Sequence, residues 1–343
     1  MPSMCASRDD RIEIRANGRI HFGLVEISES EPNCFGGIGL MIEHSEAVIQ
    51  GTVGICQSGQ LKIEGDSYWT PRIDAISQQW LQTHEHLPIQ SVTVINSPLP
   101  HQGLGSGTQV ASSIAALLIS GHEMLSGFER DALARCPQTS MQAISQLGQR
   151  GKRSHIGLRG FLEGGFVIDN GKHFAAARDL SLSSRTERFE FPDWPVIVIQ
   201  DRTSVGDFGT NESEMFDRCK QHCNPNRIPM LQLIHQEILP AIQANDWDQW
   251  NVALGRYGQW AGMIFEIVQG GIYRTTNIAK TIEVANSLGL LGTVQSSWGP
   301  AVCAIAKDEE HASWCASRLK TELPHAMITV TKAANRPAQL YRL

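Results

Sequence analysis

The stretch that decides the fold is residues 97–120, SPLPHQGLGSGTQVASSIAALLIS. Just before it, residues 91–95 alternate polar and apolar side chains, which is the pattern of a half-buried strand. A glycine-rich turn at residues 103–107 follows two prolines and precedes apolar side chains at helical spacing. The sequence therefore predicts a strand, a glycine loop and a helix in that order. The apolar helix positions are Val110, Ile114, Leu117 and Leu118.

A glycine loop that leads into a helix is suited to an anion. Glycine lets the backbone approach a ligand closely, and the first N–H groups and the positive end of the helix dipole favour negative charge. We therefore expect a phosphate or diphosphate at the loop. A tight turn without a ligand has the same residue pattern, so the loop alone leaves both interpretations open. The residues concerned are Gly103, Leu104, Gly105, Ser106, Gly107, Thr108 and Gln109.

Composition limits the class of protein. A chain of 343 residues is long enough for two domains, and 41% hydrophobic with 19% charged residues is ordinary for a globular protein. A net charge of −6 argues against a basic surface for nucleic acid, so positive charge for a phosphate has to be local. The first residues contain no signal-peptide core, and no apolar run approaches the roughly 20 residues of a membrane span. We expect a cytoplasmic protein that binds neither nucleic acid nor a membrane.

The 8 cysteines include no C-x-x-C pair, which predicts free thiols in a reducing compartment. Cys219, His222 and Cys223 lie close together and suggest a zinc site, but no fourth ligand is nearby. A loop with incidental thiols is the favoured interpretation.

Residues 11–24, RIEIRANGRIHFGL, predict a β-hairpin. Apolar residues alternate with charged ones, and Asn17-Gly18 is typical of a type I′ turn. Arg19 and His21 then share one face of the returning strand. An arginine can form two parallel hydrogen bonds to a phosphate or carboxylate, so this face either binds an anion or is solvated.

A second glycine-rich passage, residues 33–42, predicts a bulged strand or a place where backbone meets a ligand. Glu43 follows it and is a candidate ligand for a metal or substrate. An isolated glutamate at a strand end, however, is more often simply part of the protein surface.

The densest positive patch is the loop GQRGKRSHIG at residues 148–157. It places Arg150, Lys152 and Arg153 among glycines, with Ser154 next to them. Beside an anion-binding helix terminus, these cations would complete a diphosphate site. The alternative is a solvated basic loop.

The remaining pattern predicts an α+β protein. A polar segment near residues 178–188 marks the predicted boundary between a domain at 1–180, of βαβ type with the phosphate loop, and a domain at 181–343 with a sheet covered by helices. Residues 200–206 superficially resemble a phosphoribosyl-diphosphate loop, but only Asp201 is acidic and the spacing differs. Helices are predicted at 71–84, 130–147, 230–269, 277–287 and 308–323, and strands at 47–53, 61–63, 196–199 and 327–331.

Together these blocks resemble the GHMP superfamily of small-molecule kinases. PLPHQGLGSGTQ at residues 98–109 is similar to the second motif of that superfamily, P-x-x-x-G-L-G-S-S-A. The branch that fits best is that of the β-ribofuranosylaminobenzene 5'-phosphate synthases. The blocks that carry the resemblance are residues 19–24, 35–40, 103–109, 150–154, 164–167 and 296–300, with Gly209, Glu212 and Phe216 resembling a G-x-x-E-x-x-x-F element.

Two departures from the kinase pattern argue against ordinary kinase chemistry. The G-E-H ending of the first motif is absent, and Glu26-Ile27-Ser28 stands there instead. In the third motif, SSWGP at residues 296–300, Trp298 and Pro300 replace most of the glycines. An indole at this position would be able to stack on an aromatic substrate.

The resemblance implies the two-domain GHMP fold, with a C-terminal ferredoxin-like α/β sandwich and the ligand between the domains. It implies transfer of ribose 5-phosphate from phosphoribosyl diphosphate to the ring carbon of 4-aminobenzoate, with release of diphosphate and CO2, towards tetrahydromethanopterin. A homodimer and Mg²⁺, with no organic cofactor, are also implied. The implied catalytic residues are Arg19, His21, Lys152 and Arg153. The implied binding residues are those of the loop at 103–109 with Arg150, Ser154, Ser297 and Trp298, and the implied magnesium ligands are Ser106 and Glu43.

Alternatives remain open from the sequence. An ATP-dependent kinase of a small alcohol would use the same loop for nucleotide phosphates. A phosphate-binding regulator without catalysis would need the loop but not the retained Arg, Lys and His. A related arene such as 4-hydroxybenzoate is a second candidate acceptor. Arg19 and His21 are both candidates for holding the carboxylate of the acceptor or the 5-phosphate.

Overall fold

The computed structural model describes residues 10–30, 34–127, 137–172, 186–201 and 210–343. Gly209, the loop at 202–206 and most of the predicted domain boundary lie outside these ranges, and the side chain of Glu212 is also outside the description.

The first sheet contains the long pair β1 and β2 at its centre. Its order is β11-β1-β2-β4-β3, and β5 pairs with the beginning of β2 and with β6. All pairs are antiparallel except β3 with β4. The strands are β1 (Arg11–Leu24), β2 (Gly37–Cys56), β3 (Lys62–Gly65), β4 (Leu87–Asn96), β5 (Phe166–Asp169), β6 (Thr186–Phe189) and β11 (Gln339–Arg342).

The predicted hairpin at residues 11–24 is wrong, because β1 is one continuous strand. Asn17 and Gly18 lie at an irregularity where the register with β2 shifts between Ala16 and Gly18. A Cβ on Gly18 would come within 2.2 Å of the backbone oxygen of His44. The glycine therefore permits close contact with the neighbouring strand rather than a chain reversal. Asn-Gly is compatible with both.

Helices cover one face of this sheet, and α2 is central among them. Val110, Ile114 and Leu117 of α2 are fully buried in the core that the sheet and helices share. The prediction of a strand, a glycine loop and a helix is confirmed, since β4 ends at Asn96 and α2 begins at Ser106. These helices are α1 (Thr70–Leu81), α2 (Ser106–Leu125), α3 (Pro137–Gly148) and α4 (Ile156–Glu163).

The second sheet is antiparallel, with the order β10-β7-β9-β8. Successive residues of β7 point to opposite faces. Ile197 and Ile199 pack with α10 and α11, whereas Val196 and Val198 pack with α6 to α8. Its strands are β7 (Val196–Asp201), β8 (Val294–Gln295), β9 (Ala301–Ile305) and β10 (Ala326–Thr331). The helices of this half are α5 (Thr210–Cys219), α6 (Arg227–Leu233), α7 (Leu239–Ala244), α8 (Trp247–Met263), α9 (Glu266–Gln269), α10 (Thr276–Ser287) and α11 (Glu309–Glu322), with a π-helical turn between α6 and α7.

The two sheets are joined by one apolar core. Trp250 and Tyr257 of α8 are fully buried between Phe22 of the first sheet and Val198 of the second. The hydroxyl of Tyr257 donates a hydrogen bond to the backbone oxygen of Gly23 at 2.9 Å. The end of β1 is therefore fixed against the second half, at the place where the candidate site lies. In the described part of the chain, none of the helices has the length and apolarity needed to cross a membrane.

Candidate functional site

The glycine loop presents the uncapped start of a 20-residue helix, α2. Gly105 is the N-cap, with φ of 75°, and no side chain caps the helix. The N–H groups of Thr108 and Gln109 bond to the oxygen of Gly105 at 3.0 and 3.1 Å. Those of Ser106 and Gly107 precede the first helical hydrogen bond and have no intrahelical acceptor. The helix start is therefore free of the side-chain oxygen that usually competes with an anionic ligand.

Two adjoining cavities lie at this helix start. The first, here the loop cavity, has a volume of about 670 Å³ and lies over the glycine loop beside Tyr68, Trp69 and His101. The second, here the cationic cavity, has a volume of about 480 Å³ and extends over His21 and the basic loop. The residues that line both are Arg19, Arg72, Thr108, Arg150, Ser297 and Trp298.

Arg19 lies in the wall between the cavities. Its backbone N–H donates to the oxygen of Leu104 at 2.9 Å, which joins β1 to the glycine loop. A Cβ on Gly105 would come within 2.9 Å of Arg19 Nε, so only glycine fits against this guanidinium. The Nε atom is buried without an acceptor in the described chain. Burial lowers the pKa of Arg19 to about 10, so the group is still a cation at neutral pH.

His21 is buried and neutral. Burial in the first place, and the charge of Arg19 in the second, lower its pKa to about 3. Nδ1 accepts a hydrogen bond from the N–H of Gly23 at 3.1 Å, so the proton of the neutral ring is on Nε2. His21 lines the cationic cavity but not the loop cavity. It is therefore a hydrogen-bond donor and not a base at neutral pH.

Ser296, which the sequence analysis did not single out, connects three parts of the site. Its hydroxyl accepts from the N–H of His21 at 3.1 Å and donates to the oxygen of Gly103 at 2.7 Å. The neighbouring Ser297 donates its N–H to the oxygen of His21 at 3.0 Å. The turn before β9 thus ties β1 to the glycine loop, and Ser297 lines both cavities.

The basic loop contacts the glycine loop directly. Nη2 of Arg150 donates to the oxygen of Gly107 at 2.9 Å. Lys152 is exposed at the rim of the cationic cavity, and the guanidinium of Arg153 lies 3.8 Å from the ring centre of Phe216 in α5. The structure therefore brings these three cations to one cavity together with Arg19. A basic loop that is merely solvated would not need to line a cavity.

Aromatic rings close the other side of the cationic cavity. Trp298 is 8% exposed and packs against Phe265 and Phe216, with ring centres 4.5 and 5.5 Å away. Its Nε1 is buried without a hydrogen-bond partner in the described residues. The indole forms a wall of both cavities, with much of its surface already covered by these rings.

Three predicted residues have supporting positions. Leu104 is 2% exposed in the apolar core, and Gln109 is fully buried on the inner face of α2. Neither lines a cavity, because both side chains are buried in the interior, where Nε2 of Gln109 donates to the backbone oxygen of Gly157 at 3.4 Å. Ser154 lines the cationic cavity, and its hydroxyl donates to Oδ2 of Asp169 at 3.3 Å.

The structure does not bring the two expected magnesium ligands together. Ser106 lines the loop cavity, but Glu43 lines neither cavity and its carboxylate lies 3.3 Å from Nη2 of Arg336. No carboxylate lines either cavity within the described ranges, and those ranges hold no group of three or more potential metal ligands. The zinc alternative at Cys219, His222 and Cys223 is not formed, since Cys219 is buried and Cys223 is exposed. The donor set of the described site does not fit a resident metal.

Arg72 is a site residue that the sequence analysis missed. It lies in the first turn of α1, lines both cavities and makes no ion pair within the described part of the chain. Its only sequence signal is a cation at the start of a helix, which is common on protein surfaces.

Comparisons with known proteins agree with this fold. The model of the GHMP kinase C-terminal domain matches residues 238–325. Two relatives carry the name β-ribofuranosylphenol 5'-phosphate synthase. The protein from Archaeoglobus fulgidus is 25% identical over 86% of this chain and 87% of its own length. The one from Methanothermobacter thermautotrophicus is 24% identical over 95% and 97%.

Solved structures with the same fold include two enzymes of mevalonate metabolism. The L. major mevalonate kinase in complex with R-mevalonate has a TM-score of 0.66 at 14% identity, covering 95% of this chain and 96% of its own. The mevalonate diphosphate decarboxylase from Enterococcus faecalis has a TM-score of 0.66 at 12% identity, covering 97% and 99%. The chain is thus similar to the GHMP kinases in its fold and over residues 238–325, and to the β-ribofuranosylphenol 5'-phosphate synthases along most of its length.

Proposed function

We propose that this protein transfers the 5-phosphoribosyl group of phosphoribosyl diphosphate to the ring carbon of an aromatic acid, with release of diphosphate and CO2. The acceptor is 4-aminobenzoate. The relatives are named after a phenol product, which makes 4-hydroxybenzoate the competing acceptor. The observation that carries the proposal is the cation Arg19, whose Nε atom is buried without an acceptor among the described residues, beside an uncapped helix start. A buried donor without an acceptor is costly, so an anionic ligand is expected there.

The leaving diphosphate would lie against Arg19, in the wall that separates the two cavities. Arg19 and Arg150 both contact the glycine loop there, and the N–H groups of Ser106 and Gly107, in the first turn of α2, have no intrahelical acceptor. As the bond between C1 of ribose and the diphosphate oxygen breaks, negative charge grows on that oxygen. Fixed N–H groups and guanidinium groups stabilise such charge without reorganising.

The ring then forms its new bond at the carbon that bears the carboxylate. Loss of CO2 returns the electron pair of the broken carbon–carbon bond to the ring and restores aromaticity, so the step needs no general base. This agrees with a His21 that is neutral and protonated on Nε2. We assign Arg19 to the diphosphate, because it lies against Gly105. We assign His21 to a hydrogen bond with the acceptor or the 5-phosphate, because His21 lines the cationic cavity but not the loop cavity.

We propose further that Mg²⁺ enters with phosphoribosyl diphosphate as part of the substrate. The support is the absence of carboxylates from the cavity linings in the described ranges, since Mg²⁺ in proteins is commonly held by carboxylates and substrate phosphates together. A homodimer also stays a prediction, which analytical ultracentrifugation tests.

The alternative function is phosphorylation of a small alcohol by ATP. The loop cavity favours it, because Tyr68 and Trp69 offer aromatic surface beside a phosphate loop. The cavity linings of the described residues, however, offer no carboxylate to accept the proton of an alcohol, and His21 is already a donor.

One assay separates these activities. The protein is incubated with Mg²⁺, phosphoribosyl diphosphate and carboxyl-labelled 4-aminobenzoate, and labelled CO2 and diphosphate are measured. A parallel series uses 4-hydroxybenzoate, and a second uses ATP with candidate alcohols and follows ADP. We expect CO2 and diphosphate in equal amounts that depend on phosphoribosyl diphosphate. ADP formation without CO2 release would reject the synthase and support the kinase.

A further inference from the structure

Lys172 is a fully buried cation beneath the basic loop. The side chain is 1% exposed and lines neither cavity. Its ammonium group donates to the backbone oxygen of Gly151 at 2.5 Å and to that of Lys152 at 2.8 Å. Lysine is rarely buried to this extent unless its charge is compensated by hydrogen bonds. The two loop carbonyl groups supply such bonds here.

The backbone of Lys172 is fixed independently of the loop. Its N–H donates to the oxygen of Cys34 at 2.8 Å, and the N–H of Cys34 donates to its oxygen at 3.2 Å. This isolated bridge lies three residues beyond the paired ends of β2 and β5, so the backbone of Lys172 is held next to the sheet. The loop therefore takes its position from the sheet through Lys172.

Asp169 holds the other end of the same loop. Its Oδ2 accepts from the N–H of His155 at 2.7 Å and from the hydroxyl of Ser154 at 3.3 Å. Its Oδ1 accepts from the N–H of Gly171 at 3.0 Å. Residues 151–155 are thus bonded at both ends to one short segment, residues 169–172, which begins at the last residue of β5.

We propose that Lys172 is a positioning residue for the diphosphate site, an inference that rests on the proposed function. By binding the oxygens of Gly151 and Lys152, it fixes the backbone from which Lys152 and Arg153 reach the cationic cavity. Without the ammonium group of Lys172, the two carbonyl oxygens would lose these hydrogen bonds. The side chains of Lys152 and Arg153 would then no longer be held towards the cationic cavity. Site geometry of this kind depends on supporting groups as well as on those that touch the ligand.

The test compares Lys172→Met, which keeps the length and apolar stem, with Lys62→Met. Lys62 is an exposed lysine of β3 paired with Glu64, and it lines neither cavity. Binding of Mg²⁺ diphosphate is measured by calorimetry, and cleavage after Lys152 and Arg153 by limited digestion with trypsin. We expect Lys172→Met to bind diphosphate about tenfold more weakly, because the displaced loop would lose about one charge-assisted contact made by Lys152 or Arg153. We also expect trypsin to cut the loop of this variant about tenfold faster. Lys62→Met should change neither quantity.

A structural role alone would lower the melting temperature of Lys172→Met and leave its diphosphate affinity unchanged below that temperature. That result, with unchanged cleavage in the loop, overturns the proposal. If Lys172→Met does not fold, the ligand-free wild type still decides: slow cleavage after Lys152 supports a fixed loop, and rapid cleavage contradicts it. A wild type that fails to bind diphosphate rejects the proposed function, while the trypsin comparison still tests whether Lys172 holds the loop.

Discussion

The glycine loop and the basic loop bring positive potential to the same wall by different means. The glycine loop at residues 103–109 offers N–H groups of the backbone, whose direction follows from the start of α2. The basic loop at residues 150–154 offers side chains, whose direction depends on bonds to Lys172 and Asp169. Backbone donors are fixed by the local sequence, whereas long side chains lose rotamer freedom only when distant groups support them. A substitution at one glycine of the glycine loop should therefore greatly reduce activity. The basic loop should also be sensitive to substitutions of residues that lie outside the cavity.

The largest effect is expected from Gly105→Val. The residue has φ of 75°, and its Cβ would collide with Nε of Arg19 at 2.9 Å, so both the helix start and the guanidinium would be displaced. We expect a loss of about 1000-fold in kcat/KM, as for removal of fixed donors together with misplacement of about 1 Å. Gly127→Val is the matched control, because this glycine has φ of 76° and nothing within 4 Å of its Cβ. Equal activities of the two folded variants would contradict the role of the glycine loop.

Arg19→Met tests whether this partly buried cation serves the ligand or the fold. Losing a charge-assisted contact of about 1.5–3 kcal/mol should lower kcat/KM by about 100-fold. Removing a partly buried charge whose Nε atom has no acceptor in the described chain should leave the ligand-free protein as stable or up to about 1 kcal/mol more stable. Steady-state kinetics and urea unfolding without ligand measure the two quantities. A large loss of stability would instead make Arg19 a structural residue.

Lys152→Ala sharpens the comparison at the basic loop. The side chain is exposed at the cavity rim, so its contribution is screened by solvent. We expect turnover to fall about tenfold, and binding of phosphoribosyl diphosphate to change less, because the charge on the leaving group grows during the reaction. Kinetics under saturation compared with calorimetry separates the two effects. Wild-type turnover would show that the side chain is only surface.

The last prediction concerns stability instead of turnover, because His21 should make the stability of the protein dependent on pH. Its folded pKa of about 3 lies below the unfolded value of 6.5, so protonation favours the unfolded state. The contribution of His21 is therefore complete above pH 6.5 and declines as the pH falls from there towards 3. Between pH 7 and 5 the wild type should lose about 2 kcal/mol that His21→Gln does not lose. Urea unfolding of both proteins at the two pH values checks this, and identical losses would contradict a neutral His21.

The local part of the site was visible in the sequence, and the long-range part was not. Glycines followed by a helical apolar pattern predicted α2 and its loop, because both are determined by neighbouring residues. The roles of Ser296 and Lys172 were not predicted. The bond from Ser296 to Gly103 spans 193 residues, and the bond from Lys172 to Gly151 spans 21. The error at Asn17-Gly18 has a similar origin. A turn signal was overridden by pairing with β2, which lies further along the chain.

The measurement that tests the central claim most directly is a calorimetric titration of the wild type with phosphoribosyl diphosphate and, separately, with ATP, both with Mg²⁺. Arg19, Arg150, Lys152 and Arg153 at one cavity, beside a helix start without a side-chain cap, predict tighter binding of phosphoribosyl diphosphate. Addition of 4-aminobenzoate or 4-hydroxybenzoate to that complex should then release CO2. Tighter binding of ATP, with ADP formed from an added alcohol and no CO2 released, would contradict the account.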